Sequence, residues 1–229
     1  MTRTSNARIA GFTFLFYIVV GITAMVLHRQ AIAGADSAAR LASIARHEPT
    51  MRALLLLDLA QAFCAIVLGV TLYGLTRAQD RDIATTGLVC RVIEGIIASF
   101  TVPQTLALLW LAKASGDAAS DPASAHLLAA WLMRGDVAFT ATFFAVGSAC
   151  FAYLLLRGRI IPTALAWIGV VSSVLLVISL PLQLAGVLNG PITMYVWIPM
   201  ILFEVPLGFW WLIKGDTWTT RSQATATAS

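Results

Sequence analysis

Residues 162–188 read PTALAWIGVVSSVLLVISLPLQLAGVL, a stretch that contains no Asp, Glu, Lys, Arg or His. About 20 apolar residues are enough for an α-helix to cross the hydrocarbon core of a bilayer, so this stretch predicts a transmembrane helix. The whole chain is 59% hydrophobic and only 11% charged, with a mean hydropathy of +0.84. A soluble domain of this length does not have such a composition, and we therefore expect an integral membrane protein.

Apolar stretches long enough to cross a bilayer occur six times along the chain. They are Ile9–Leu27, Ala53–Leu75, Ala84–Ala112, Leu127–Leu156, Pro162–Leu188 and Met194–Ile213. Backbone groups in lipid must find hydrogen bonds within their own segment, and these stretches do not alternate as the strands of a membrane barrel do. The sequence thus predicts an all-α fold, a polytopic bundle of six transmembrane helices. Residues 1–215 are expected to form a single domain and residues 216–229 a disordered cytoplasmic tail.

The distribution of Lys and Arg predicts the orientation, because positive charge is retained on the cytoplasmic side. With the N-terminus inside, eight cations lie on the inner side: Arg3, Arg8, Arg77, Arg81, Arg157, Arg159, Lys214 and Arg221. Six lie on the outer side: Arg29, Arg40, Arg46, Arg52, Lys113 and Arg134. The very short inner connections after Leu75 and Leu156 carry two arginines each. Both termini are therefore predicted to be cytoplasmic. In the longer outer loop, residues 38–46 are expected to form a short helix on the outer surface.

Two acidic residues, Glu94 and Glu204, fall deep inside predicted spans. At a rise of about 1.5 Å per residue, both lie roughly 15 Å from the inner end of their helix, near the middle of the bilayer. Arg91 precedes Glu94 by three residues, so the two side chains share one helix face and can pair. Ionisable groups in hydrocarbon are costly and mark functional sites, but a buried ion pair also fixes helix packing. The sequence leaves both interpretations open.

A second group of polar residues is expected towards the outer face. Its members are Asp58, Gln61, Gln104, Asp136 and Gln183. Pro103 and Pro181 are expected to kink or break their helices beside this group, which frees backbone carbonyls. We hypothesise that the five side chains line an outer cavity, since polar residues in a bundle usually face its interior. The G-x-x-x-G formed by Gly186 and Gly190 suggests close helix approach near this end.

Several chemistries find no support in the sequence. His28, His47 and His126 lack the spacing of a zinc-binding helix, and the three cysteines lack a C-x-x-C pair, so we expect no metal and no cofactor. The serines lack a G-x-S-x-G context, so no catalytic residue is predicted. The cations lie at span ends and form no basic stripe, which argues against nucleic acid as a partner.

Short apolar motifs in a fixed order point to a known family. They include Arg8-Ile9-Ala10-Gly11, Arg91-Val92-Ile93-Glu94, Ile161-Pro162 and Phe203-Glu204 with Gly208 and Lys214-Gly215, along with Asp58-Leu59 and Leu72-Tyr73. Together they resemble the bacterial membrane family catalogued as domain of unknown function 4386, over nearly the whole chain up to Gly215. The resemblance implies a six-span protein of the bacterial inner membrane, with Arg91, Glu94 and Glu204 at the family's polar landmarks. It implies no substrate, cofactor or reaction.

The leading functional hypothesis is a small membrane protein that binds or moves a small or lipidic molecule through the polar site, with proton coupling by Glu94 or Glu204. Membrane lipids are the expected surroundings, and the short chain favours a homodimer for such a role. One alternative is a structural or regulatory protein whose ion pairs only specify helix packing. A second alternative is a lipid-modifying enzyme that uses Asp58, Asp136 and the outer histidines, although the sequence favours a protein that is not an enzyme.

Overall fold

The computed structural model describes residues 3–117, 122–133 and 137–215, and this part of the chain is built from helices without any strand. The helices are α1 (Arg3–Ala31), α2 (Ser37–Arg46), α3 (Glu48–Thr76), α4 (Arg81–Ser99), α5 (Thr101–Asp117), α6 (Pro122–Leu132), α7 (Val137–Arg157), α8 (Thr163–Leu184), α9 (Ile192–Tyr195) and α10 (Ile198–Lys214).

Among the described residues, six helical segments are long and apolar enough to cross a bilayer. They are Arg3–Ala31, Glu48–Thr76, Arg81–Lys113, His126–Arg157, Thr163–Leu184 and Ile192–Lys214. Each contains most of one predicted span, so the all-α class and the number of spans are confirmed. The chain is a multi-pass helical membrane protein. The cytoplasmic location of its termini stays a prediction, as does the single domain over residues 1–215, and the predicted tail at 216–229 lies outside the described residues.

The short loop helix is also confirmed, as α2. The carboxylate of Asp36 caps its first turn by accepting a hydrogen bond from the backbone N–H of Ala39 at 2.7 Å. One face of α2 is buried, with Leu41 2% and Ile44 0% exposed. Burying these side chains removes apolar area from water or headgroups. The helix is therefore a packed element and does not merely rest on a surface.

The two predicted proline sites behave differently. The third span is interrupted at Phe100, and Pro103 follows in the first turn of α5, where a missing backbone N–H has no intrahelical partner to lose. This confirms a break near Pro103. Pro181 lies inside α8, which continues to Leu184, so the helix is not broken there.

The chain divides into two compact units, each with its own core. Unit 1 comprises 1–17, 63–95 and 137–229, and unit 2 comprises 18–62 and 96–136, in so far as these residues are described. In unit 1 the buried core includes Phe14, Leu72, Phe151, Leu207 and Trp211. In unit 2 the buried core includes Leu41, Ile44, Met51, Leu54 and Leu108.

The interpretation of Gly186 and Gly190 as a helix-packing motif is wrong. Both residues follow α8 and have positive φ angles of 71° and 83°. A Cβ built on either glycine would meet no atom within 4 Å. These glycines allow left-handed backbone turns, which other residues rarely adopt, and they mark no close approach of helices.

Candidate functional site

The predicted ion pair forms within α4. Nη1 of Arg91 lies 2.9 Å from Oε2 of Glu94, and the two side chains are only 2% and 3% exposed. The spacing of three residues places both on the buried face of the helix, together with Ala84, Gly87 and Gly95. The three guanidinium nitrogens of Arg91 make no hydrogen bond of good geometry with a described residue. The attraction to Glu94 is therefore mainly that of two close opposite charges.

Tyr17 of α1 forms a hydrogen bond with the second carboxylate oxygen of Glu94. Its hydroxyl donates a hydrogen bond to Oε1 of Glu94 at 3.0 Å, across 77 positions of sequence. Tyr17 was not among the residues predicted for the site. A signal existed, because Tyr17 lies near the middle of the 29-residue α1, whereas tyrosines of membrane helices concentrate at the interfaces. A tyrosine so deep needs a partner for its hydroxyl.

Two aromatic rings enclose the guanidinium group of Arg91. Its Cζ lies 5.0 Å from the centre of the Phe144 ring and 5.7 Å from that of Tyr17. Cations are attracted to the face of an aromatic ring, more strongly where water is excluded. Phe144, which is 4% exposed, is a second residue that sequence reasoning missed. In a chain with 11 phenylalanines it carries no distinguishing signal.

Glycines on neighbouring helices make room for Arg91. A Cβ built on Gly69 of α3 would lie 2.9 Å from Cβ of Arg91, and one built on Gly147 of α7 would lie 3.3 Å from its Cδ. Small residues let membrane helices approach closely, so α3 and α7 pack directly against the arginine stem. The site is thus enclosed by the backbone of helices from the same unit.

Glu204 belongs to the same cluster. It lies on the buried face of α10, between Met200, Phe203 and Leu207, and is 6% exposed. The charges of Arg91 and Glu94 act on Glu204, and among the residues that the structure describes none forms a hydrogen bond with its carboxyl group. In the described part of the chain, Arg91 forms an ion pair with Glu94. It forms none with Glu204, whose carboxylate oxygens lie more than 4.0 Å from the guanidinium nitrogens. The structure therefore brings the three predicted residues together and gives the two acids different surroundings.

A small cavity adjoins Glu204. Its lining consists of one charged residue, one hydroxyl residue and apolar side chains: Glu204, Ser148, Phe14, Leu72, Phe151, Ala152, Leu155, Phe203 and Leu207. The cavity has a volume of about 10 Å³, which is room for about one water molecule. All of these residues belong to unit 1. Arg91 and Glu94 are not among them.

The predicted outer cavity is not assembled within one unit. Asp58, Gln61 and Gln104 belong to unit 2 and Gln183 to unit 1, while Asp136 lies outside the described residues. Asp58 interacts with His28 and with the side chain of Thr101. A shared cavity for the five residues stays a prediction.

The potential metal ligands of the chain are dispersed over the described residues. Within residues 3–117, 122–133 and 137–215, no three His, Cys, Asp or Glu side chains are close enough together to hold a metal ion. The ring of His47 is engaged locally, since its Nδ1 lies 2.9 Å from the carbonyl oxygen of Ser43. The three cysteines, Cys64, Cys90 and Cys150, are free thiols.

A model of a known protein family matches most of the chain. The model of a family described as a domain of unknown function (DUF4386) matches residues 9–215. No curated protein and no solved structure matches the chain. The matched range includes five of the six spans in full, the first span from residue 9 onward, and the cluster of Arg91, Glu94 and Glu204.

Proposed function

The chain belongs to the DUF4386 family, and we propose that it binds or translocates a small or lipidic molecule through the polar site formed by Arg91, Glu94 and Glu204, with proton coupling. The proposal includes a location in the cell inner membrane, which the resemblance to a bacterial membrane family supports, and cytoplasmic termini, which the positive-inside bias favours. The short chain favours a homodimer for this task.

One observation carries the proposal: the buried cluster holds one guanidinium and two carboxyl groups. Arg91 pairs at 2.9 Å with Glu94, so this pair is close to neutral and Glu204 is left without a counter-ion of its own. An uncompensated charge in a low-dielectric interior is costly, and a protein keeps such a group only where it acquires a partner. A proton or a ligand cation supplies the missing positive charge. The site therefore favours a ligand with a cationic group over an anionic one.

The test uses two probes that share a chain length and differ in charge. Decylamine and decanoate are titrated into the protein in lipid nanodiscs, and binding heat is measured against empty nanodiscs to subtract partitioning into lipid. We expect saturable binding of decylamine and none of decanoate. Glu204→Gln keeps the size of the side chain and removes the unpaired acid, so folding should be retained while decylamine binds at least about tenfold more weakly, or about 1.4 kcal/mol.

Glu48→Gln is the matched control. Glu48 also pairs with cations, Lys113 at 2.7 Å and Arg52 at 2.9 Å, but its side chain is 29% exposed and lies in unit 2. This variant should bind decylamine as the natural protein does. Equal loss in both variants, or no saturable binding of either probe, would contradict the proposal.

A structural role is the second candidate, and one observation favours it. Both oxygens of Glu94 are engaged, one by Arg91 and one by Tyr17, and these three groups connect α1 with α4. A buried ion pair of this kind can specify which helices meet. If Glu204→Gln unfolds the protein and neither probe binds the natural chain, this role replaces the first.

A further inference from the structure

The two buried acids differ in how firmly they are held. Oε2 of Glu94 lies 2.9 Å from Nη1 of Arg91, and its Oε1 accepts the Tyr17 hydroxyl at 3.0 Å. Glu204 is close to the charges of Arg91 and Glu94, but no residue in the described part of the chain forms a hydrogen bond with it. A carboxylate that accepts hydrogen bonds and pairs with a guanidinium keeps its charge, whereas a buried carboxyl without them is the one that exchanges a proton at least cost.

The cavity beside Glu204 extends towards one end of unit 1. Two of its lining residues lie close to the ends of their helices: Leu72 on α3, which ends at Thr76, and Leu155 on α7, which ends at Arg157. These two helix ends adjoin each other, since Nη1 of Arg157 lies 3.2 Å from Oδ2 of Asp80 in the connection after α3. The space next to Glu204 is therefore displaced towards the polar end that carries Arg157.

We propose that Glu204 takes up and releases the proton in the function proposed above, and that water in the cavity delivers it from the end of unit 1 that carries Arg157. This inference rests on the proposed function. In this step a hydronium ion in the cavity loses one proton and becomes water. The proton forms an O–H bond with a carboxylate oxygen of Glu204. The summed charge of Arg91, Glu94 and Glu204 then changes from −1 to zero. Glu94 stays ionised as the fixed partner of Arg91.

The surroundings of Glu204 are consistent with this division of roles. The titratable groups that face it are Tyr17 from α1 and Arg91 and Glu94 from α4. From α3 and α7 it is faced by Leu72 and Ser148. The hydroxyl of Ser148 is the uncharged polar group of the cavity and can hydrogen-bond to a water molecule beside the carboxyl group.

The first experiment identifies the exchanging carboxyl. Infrared difference spectra of the protein in lipid are recorded over a pH titration, and the C=O band of a protonated carboxyl is followed. The band should be present in the natural protein, absent in Glu204→Gln and retained in Glu94→Gln. A band that vanishes in Glu94→Gln and persists in Glu204→Gln overturns the assignment, as does the absence of any titrating buried carboxyl.

The second experiment tests the entry route. After a rapid pH jump, the rate at which the Glu204 band appears is compared between the natural protein, Ser148→Leu and Ala149→Leu. Ser148 lines the cavity and its neighbour Ala149 does not. Filling the cavity should slow protonation roughly tenfold or more, and the control should react at the natural rate. Equal rates in the two variants overturn the route; if Ser148→Leu does not fold, the infrared comparison alone decides the inference.

These outcomes are separable from those of the probe titration. Decylamine binding without a Glu204 band would leave the proposed function standing and remove the inference. A Glu204 band without binding of decylamine or decanoate would leave a proton-exchanging acid in a protein without the proposed ligand site.

Discussion

Removing the Tyr17 hydroxyl isolates the one hydrogen bond that ties α1 to the buried ion pair. Tyr17→Phe deletes the donor to Oε1 of Glu94, which lies 3.0 Å away, and keeps the ring that faces the guanidinium of Arg91 at 5.7 Å. Because the aromatic contact is retained, the loss of stability measures the hydrogen bond and the desolvation of the oxygen left without a partner.

The expected magnitude follows from the surroundings of the bond. Hydrogen bonds between membrane helices average about 0.6 kcal/mol and reach about 1.7, and a charged acceptor roughly doubles the strength of a neutral one. The side chain of the acceptor, Glu94, is 3% exposed, so water can replace the lost hydroxyl only poorly. We therefore expect Tyr17→Phe to lower the free energy of unfolding by about 1–2 kcal/mol.

The assay is reversible unfolding in mixed micelles, with the same change made in a Glu94→Gln background. A hydrogen bond to a neutral acceptor is about half as strong as one to a carboxylate. In the Glu94→Gln background, the free energy of unfolding lost through Tyr17→Phe should therefore fall to about half. Tyr153→Phe is the control, because Tyr153 is 43% exposed, and it should change stability by less than about 0.5 kcal/mol. A loss for Tyr17→Phe that matches the control, or one that is the same in both backgrounds within about 0.4 kcal/mol, would refute the reasoning.

Two further predictions concern the packing and capping of helices in unit 1. A Cβ added by Gly11→Ala would lie 2.7 Å from the carbonyl oxygen of Gly208 and from the backbone nitrogen of Leu212, so α1 and α10 must separate, and unfolding should become easier by about 1–3 kcal/mol in the micelle assay. Asp80 caps α4 through two backbone N–H groups at 3.1 and 3.2 Å and pairs with the half-exposed Arg157. Asp80→Ala should therefore destabilise by about 1 kcal/mol and Arg157→Gln by less than about 0.5. Equal losses for these two variants would show that the ion pair matters more than the cap.

The spans were predictable because a bilayer imposes a local rule. Each stretch must satisfy its own backbone hydrogen bonds and must be long enough to cross, and both properties are readable from consecutive residues. The pairing of Arg91 with Glu94 was predictable for the same reason, since a spacing of three residues places two side chains on one helix face whatever the rest of the chain does.

The failures of prediction concern contacts between distant segments. Gly186 and Gly190 have a spacing that is typical of packed helices, but both lie after the end of α8. Their positive φ angles explain why glycine occupies these two positions. Tyr17 and Phe144 reach the ion pair from α1 and α7, and no periodicity in the sequence reports which side of α4 these helices cover. Nearly all faces of these helices are hydrophobic, so the hydrophobic pattern of the sequence does not identify the face that packs against another helix.

By itself, the sequence determined that this protein is a six-span helical membrane protein and that Arg91 and Glu94 form a pair within one helix. Those features depend on hydrophobicity, helix length and helical spacing, which act over a few neighbouring residues. The tertiary structure alone decided that Tyr17 and Phe144 enclose the guanidinium, that Glu204 joins the cluster without a hydrogen bond, and that a cavity for about one water molecule adjoins it. These features depend on how closely helices pack, and in lipid that is set by glycines and ring shapes on faces that meet only after folding.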